Sequence, residues 1–365
     1  MKTRAAVVEG QGQPFTMAEV ELDEPREDEV LVRMVATGLC HTDITMGSFL
    51  PAEMFPNVFG HEGAGVVEAV GPQVPGLEPG DHVVMSFRSC RDCAKCRAGL
   101  VGYCDQTLLL NYMGMRMDGS TSLQRDGSPV FGSFFGQSSL AAHALAYADN
   151  CVKVDPDLDL TLVAPYGCGF QTGAGTVLNV LKPGKADSLV VYGVGAVGLA
   201  AIAAAAAEGV ESIIAVDPLA SRREVAEKLG ATSVDPSGTG EQSVVDRVRE
   251  LTGGGAAYAI DTTAIPAVVK QAQQSLAVRG TLVALGLGAE EYPLDAIDLL
   301  QGGKTVMASV EGDSDPQEMV PRLIEMRAAG TFPMDDLVAT YAADQINQAV
   351  ADVTSGAVVK PVLVW

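Results

Sequence analysis

The sequence predicts an α/β protein in two parts, a β-rich region and a doubly wound parallel sheet. Two changes of pattern carry this. Over the first 150 residues, short β-branched runs (EVLVRMVATG, GAGVVEAVG, DHVVMSF) lie between glycine and proline turns, as strands do. From 188 to about 290, apolar runs SLVVYG, SIIAVD, AAYAID and GTLVALG alternate with VGLAAIAAAAAEG, SRREVAEKLG and IPAVVKQAQQSLAVRG, which have helical character. A length of 365 residues suits two domains, each with a core of its own.

Between these parts, residues 84–130 are rich in cysteine and glycine and show little regular pattern. The chain closes with one helical stretch, PQEMVPRLIEMRAAG, and the strand-like VVKPVLVW. Residues 188–207 carry no charge, so a membrane span has to be considered. A tight glycine turn in the middle and an alanine-rich second half favour a buried strand, a turn and a packed helix instead.

Composition narrows the function. Apolar residues make up 47% of the chain, which argues against disorder. A formal charge of −22, from 46 acidic and 24 basic residues, should repel nucleic acid and anionic lipid. The N-terminal MKTRAAVVEGQGQ has too short an apolar run for a signal peptide. Together with seven cysteines, an odd count, this points to a reducing, cytoplasmic compartment and away from a disulfide framework.

Four of the seven cysteines fall within fifteen residues. Cys90, Cys93, Cys96 and Cys104 spell C-x2-C-x2-C-x7-C. Four thiolates on a short loop suit a closed, tetrahedral zinc site with no position open to substrate. Its role is then structural, holding a lobe (about 88–106) that lacks a core. An iron–sulfur cluster is the competing metal, although the spacing departs from the bacterial ferredoxin run; four unrelated thiols is the remaining alternative.

GVGAVG places Gly193, Gly195 and Gly198 as G-x-G-x-x-G, after a strand and at the start of a helix. The next strand ends in Asp217. That whole context is the dinucleotide fingerprint: glycines for the turn and for close approach to pyrophosphate, helix N–H groups for the phosphates, and a carboxylate for the ribose. Asp217 would repel a 2′-phosphate and so favours NAD, with Arg222 and Arg223 nearby as a counterweight. A glycine-packed helix without a cofactor is the alternative.

The remaining metal-binding residue types are scattered. Cys40 and His41 are adjacent in GLCHTDITMG, His61 lies in GHEGAG, and Cys168 in GCGFQTG. Taken singly, each is either a packed core residue or a ligand. His82 and His143 read as strand residues, and Cys151 as a small buried thiol.

In order along the chain, GLCHTD, GHEGAG, GDHVV, the four-cysteine lobe, GCGFQTGAG, GVGAVG and VVKPVLVW resemble the zinc-dependent medium-chain alcohol dehydrogenases. FFGQSSLAAHAL and YGCGFQTGAG are most similar to the bacterial aryl (benzyl) alcohol dehydrogenase branch. The resemblance implies a GroES-like catalytic domain built from residues 1–170 and 311–365, and a Rossmann NAD-binding domain at 171–310. It implies that Cys40, His61 and Cys168 bind a second, catalytic zinc whose Lewis acidity activates an alcohol for hydride transfer to NAD. Glu62 then stands near the metal, and Asp43 bonds the ligand histidine. Thr42 matches the hydroxyl that passes the alcohol proton outward. His41 and Lys360 match positions at the cofactor phosphates, and Thr172 a position beside the nicotinamide. In the well-known branch the proton path ends at a histidine; Thr45 stands there in this chain and cannot hold a charge near pH 7.

The expected activity is therefore reversible oxidation of primary aromatic or allylic alcohols to aldehydes. The expected assembly is a homo-oligomer, tetramer or dimer, with no nucleic-acid or membrane partner. A class-III-like enzyme taking formaldehyde adducts, or one acting on aliphatic alcohols, is the enzymatic alternative. A non-catalytic NAD- and zinc-binding protein is the more distant one.

Overall fold

The computed structural model describes residues 1–238 and 242–365. The chain divides into two compact units, one of Met1–Cys168, Asp315–Ile324 and Asp335–Trp365, the other of Gly169–Ser314 and Glu325–Met334. Residues 169–170, 311–314 and 325–334, expected in the first domain, lie in the second unit. Phe332 is fully buried and meets Phe170 edge to face, with centroids 6.3 Å apart.

Among the described residues, the first unit holds two sheets, of five and seven strands. The strand Glu29–Gly38 organises the larger sheet. Its β-branched, almost wholly buried run pairs antiparallel with Gly63–Val70, His143–Tyr147 and Lys360–Val364. The register sets Thr37 opposite Gly63 and Gly38 opposite Val362. Three segments far apart in sequence thus end side by side, just before Cys40, just after His61 and just after Lys360. Burial of nearly every side chain on this strand holds the register, since a one-residue slip would move each side chain to the opposite face and against neighbours of the wrong size.

The second unit is a six-stranded parallel sheet in the order Thr232–Val234, Ser212–Val216, Ser188–Tyr192, Ala256–Asp261, Leu276–Ala284, Thr305–Ala308. The order reverses between Ser188–Tyr192 and Ala256–Asp261, which makes that gap the switch point. The uncharged run 188–207 resolves into the strand Ser188–Tyr192 and the helix Ala196–Ala207. No helix among the described residues is long and apolar enough to cross a membrane.

One local expectation changes. LAVRG, read as the end of a helix, belongs to the strand Leu276–Ala284, and the helix Pro266–Ser275 stops before it. Pairing with Ala256–Asp261 outweighs helical propensity here, and the register shift between Ala256 and Tyr258 takes up the extra residues.

The segment 84–130 is anchored by charge. Arg116, 5% exposed, donates from Nε and Nη2 to the two oxygens of Glu29 at 2.6 and 2.9 Å, and from Nη1 to Asp23 at 2.7 Å. The Tyr147 hydroxyl also donates to Glu29, at 3.2 Å. Arg116→Ala leaves Glu29 buried without its countercharge. It should cost about 3–5 kcal/mol of stability, read as a lower urea midpoint; an unchanged midpoint would show that the pair carries no such weight.

Candidate active site

The first sulfur, Cys40, caps the helix His41–Phe49 immediately past the end of the central strand. His61 lies two residues before Gly63–Val70. Cys168 is delivered by the turn Ala164–Gly167, where a side chain on Gly167 would overlap the Met85 carbonyl oxygen, and the Ser86 hydroxyl donates to the Gly167 carbonyl at 2.5 Å. One donor atom from each of Cys40, His61, Glu62 and Cys168 falls in a single cluster, all within 4.8 Å of one another.

Asp43 organises the cluster. Its Oδ1 bonds His61 Nδ1 at 2.8 Å and accepts the Gly60 N–H at 3.0 Å, while Oδ2 accepts the Cys40 N–H at 3.0 Å. With Nδ1 committed to a buried carboxylate, the ring turns Nε2 toward the thiols, and Nε2 is buried with no regular hydrogen-bond partner among the described residues. A metal ion satisfies such an atom. Two thiols, one imidazole and an adjacent carboxylate fit zinc in its catalytic pattern. Burial works against charge on His61, but Asp43 and Cys40 outweigh it and raise the ring's pKa. A hydrogen bond from Cys168, assisted by His61, holds the Cys40 thiol well below its ordinary value, suiting a group that binds metal as thiolate.

Glu62 and Lys360 form a buried ion pair, Nζ to Oε2 2.5 Å, and Lys360 Nζ also donates to the Leu39 carbonyl at 3.3 Å. Lys360 is 2% exposed. The structure thus pairs this lysine with a carboxylate of the Cys40, His61, Glu62 and Cys168 cluster.

The four lobe cysteines form a second cluster within the same distance limit. The sulfurs of Cys90, Cys93 and Cys104 accept backbone N–H groups from Cys93, Cys96 and Cys90 at 3.2, 3.5 and 3.3 Å. Backbone donors aimed at sulfur stabilise thiolates, which fits a closed zinc site. All seven cysteines are free of disulfides.

In the other unit, the glycine turn divides its labour. Gly193 has φ +81°, which favours glycine, and a methyl on Gly198 would overlap the Gly193 carbonyl oxygen. Gly195 has no such internal reason: its φ is −72°, and a Cβ there would meet nothing nearer than Arg222 Nη1 at 3.9 Å. What a Cβ would fill is the space in front of the helix Ala196–Ala207, whose first turn has no side-chain cap. This cradle fits a pyrophosphate. Asp217, 2% exposed, accepts the N–H of Val194 in the turn at 2.9 Å and that of Leu219 at 2.8 Å, with Arg222 Nη1 at 3.9 Å.

Other predicted residues separate more. His41 is exposed at the helix start; Thr42 and Thr45 are half-buried on the same helix. Thr172 lies on the helix Gly169–Gly175 and donates its hydroxyl to Glu311 at 3.1 Å. His82 and His143 are strand residues, and Cys151 is buried.

Comparison with known proteins agrees with this geometry. Residues 26–156 match the alcohol dehydrogenase GroES-like domain, and 196–328 match the zinc-binding dehydrogenase domain. The chain is 43% identical to geraniol dehydrogenase of Castellaniella defragrans, across 100% of this chain and 98% of that one. The chain belongs to the zinc-dependent medium-chain alcohol dehydrogenases. Among solved structures of this family, an alcohol dehydrogenase zinc-binding domain protein from Burkholderia ambifaria superposes with a TM-score of 0.94 at 45% identity, covering 100% of this chain and 99% of that one. Benzyl alcohol dehydrogenase from Acinetobacter calcoaceticus gives 0.94 at 40%, with the same coverage. The chain is thus related to the aryl alcohol dehydrogenases.

Residue-by-residue reading of this dehydrogenase missed the supports of His61. Gln137 donates to the His61 and Ser86 carbonyls at 3.1 and 2.8 Å and accepts the Gly63 N–H at 3.1 Å. Phe135 lies against the His61 ring at 4.6 Å and Phe134 meets it edge-on at 5.6 Å. The motif FFGQSS was visible in the sequence, but only folding shows that it clamps a metal-cluster residue.

Two outcomes follow. Asp43→Ala frees His61 Nδ1 and should lower zinc affinity about 10–100-fold, read by competition with a chelator; unchanged retention would remove Asp43 from the site. Gly195→Ala should leave the melting temperature nearly unchanged while weakening dinucleotide binding, whereas Gly198→Ala should cost about 1–3 kcal/mol of stability. The opposite pattern would mean that Gly195 serves packing alone.

Proposed function

We propose that this dehydrogenase oxidises primary aromatic or allylic alcohols to aldehydes, reversibly, with NAD as the hydride acceptor. Two relatives matched along the whole chain, one named for geraniol and one for benzyl alcohol, carry the substrate class. The buried rings of Phe134 and Phe135 against His61, with Phe59 packed on Phe134, support it, because they keep the surroundings of His61 apolar.

In this reading Cys40, His61 and Cys168 hold one zinc, and Cys90, Cys93, Cys96 and Cys104 hold another. The catalytic zinc supplies Lewis acidity toward the alcohol oxygen, and NAD accepts the hydride. Asp43 keeps His61 in the tautomer that presents Nε2. Glu62, countered by Lys360, adds a carboxylate within reach of the same cluster. Thr42 takes the alcohol proton onward; with Thr45 unable to store it, release runs through water or another group. Gly193, Gly195 and Gly198 admit the pyrophosphate, with His41 at the phosphates, Asp217 on the ribose and Thr172 beside the nicotinamide. Arg222 tempers the bias of Asp217 against a 2′-phosphate. The reading includes a cytoplasmic homo-oligomer, dimer or tetramer.

A panel of benzyl alcohol, geraniol, ethanol and S-hydroxymethylglutathione, each with NAD and with NADP, tests the proposal. Benzyl alcohol and geraniol with NAD should exceed ethanol in kcat/KM by about tenfold or more, as extra apolar contacts to the transition state allow. Benzyl alcohol as the poorest substrate would overturn the aromatic assignment, and preference for NADP would overturn the role given to Asp217.

A further inference from the structure

The turn Ser309–Ser314 directly follows the strand Thr305–Ala308, at the edge of the second unit. Three consecutive residues there take left-handed backbone conformations: Glu311 at φ +53°, Gly312 at +65° and Asp313 at +50°. For the two that are not glycine this conformation is unfavourable, and it persists only where the surroundings impose it. They do so here. The Gly312 carbonyl and the Ser314 hydroxyl oxygen accept from Asn179 Nδ2 at 3.0 and 3.2 Å, and a side chain on either Gly312 or Gly175 would overlap the other's backbone. The effect is to hold Glu311, 8% exposed, with one carboxylate oxygen accepting both Gln171 Nε2 and the Thr172 hydroxyl, each at 3.1 Å.

The topology places this turn on a particular edge of the sheet. All six strands are parallel, so the glycine turn, Asp217 and the 309–314 turn all follow carboxyl ends on one edge of the sheet. Asp217 ends Ser212–Val216, on one side of the switch point, and so takes the adenosine half of a dinucleotide. The other half must extend over the opposite side, toward the strands that end before Glu311. The helix bearing Thr172 packs directly on the glycine-turn helix, since a side chain at Gly173 would overlap the Val197 carbonyl. Thr172, donating to Glu311, can offer only lone pairs outward.

We infer that Glu311 sets the redox preference of the bound dinucleotide, its carboxylate favouring the positively charged oxidised nicotinamide over the neutral reduced one. The inference rests on the proposal that this unit binds NAD at the glycine turn. A fixed anion stabilises a nearby unit positive charge and leaves a neutral ring untouched. In the oxidation direction it therefore holds NAD and favours release of NADH. The residue acts on cofactor charge, apart from the metal cluster.

Binding of NAD and of NADH to the zinc-loaded protein, measured by calorimetry and by NADH fluorescence, tests this in wild type, Glu311→Gln and Glu311→Gly. The glycine variant suits the left-handed backbone, which offsets part of the cost of leaving Gln171 Nε2 and the Thr172 hydroxyl without their acceptor, and the glutamine variant keeps an acceptor oxygen for them. In both variants the ratio Kd(NAD)/Kd(NADH) should rise about tenfold, with NADH affinity changed little. A purely structural role would weaken both forms alike, and a ratio unmoved in both variants would overturn the inference while leaving NAD binding intact. If the wild-type protein bound neither nucleotide, the proposed function would fall and the inference with it.

Discussion

The cluster of Cys40, His61, Glu62 and Cys168 in this dehydrogenase depends on one buried carboxylate. Asp43 bonds the backbone of Cys40, the backbone of Gly60 and the ring of His61, so it joins two of the three proposed zinc ligands before any metal is considered. Each bond is charge-assisted and shielded from water, which makes the arrangement stiff. The strand register brings those segments together, and Asp43 converts that proximity into a defined donor geometry. Gln137 and the rings of Phe134 and Phe135 then hold His61 from its other sides.

Charge is used the same way elsewhere. The chain carries a large negative excess, yet among the described residues its buried cations are each assigned to a particular carboxylate: Arg116 to Glu29, Lys360 to Glu62, Lys304 to Asp298. An unpaired charge at such depth is strongly unfavourable, so each pair fixes its two segments relative to one another. Arg116 does this for a stretch that lacks long regular elements. Lys360 does it for the last strand and the metal cluster.

The second unit shows the contrast between glycines that the fold needs and a glycine that a ligand needs. Gly193 and Gly198 are explained by backbone conformation and close packing within the unit. Gly195 is not, and that is the physical sense in which the fingerprint marks a binding surface. The strained turn around Glu311 belongs to the same logic, because backbone strain is retained where the arrangement it imposes is used.

Much was legible in the sequence. Alternating apolar runs determined the two-part α/β architecture, since burial of one or both strand faces follows side-chain periodicity directly. The spacing of Cys90, Cys93, Cys96 and Cys104 pointed to a compact thiol cluster, because one short loop can supply all four thiolates of a tetrahedral zinc site. The glycine turn and Asp217 were legible because all the relevant residues lie in one local unit. What the tertiary structure alone decided is whatever depends on segments meeting from afar. No spacing rule connects residues 40, 61 and 168; a family resemblance suggested the grouping, sheet register brings 40 and 61 together, and the turn Ala164–Gly167, packed on Met85 and Ser86, adds 168. The same holds for Lys360, whose buried amine pairs with Glu62, and for Glu311, which had no motif to mark it. Local chemistry can be read along a chain, but the partner of a buried charge is set by which strands lie side by side.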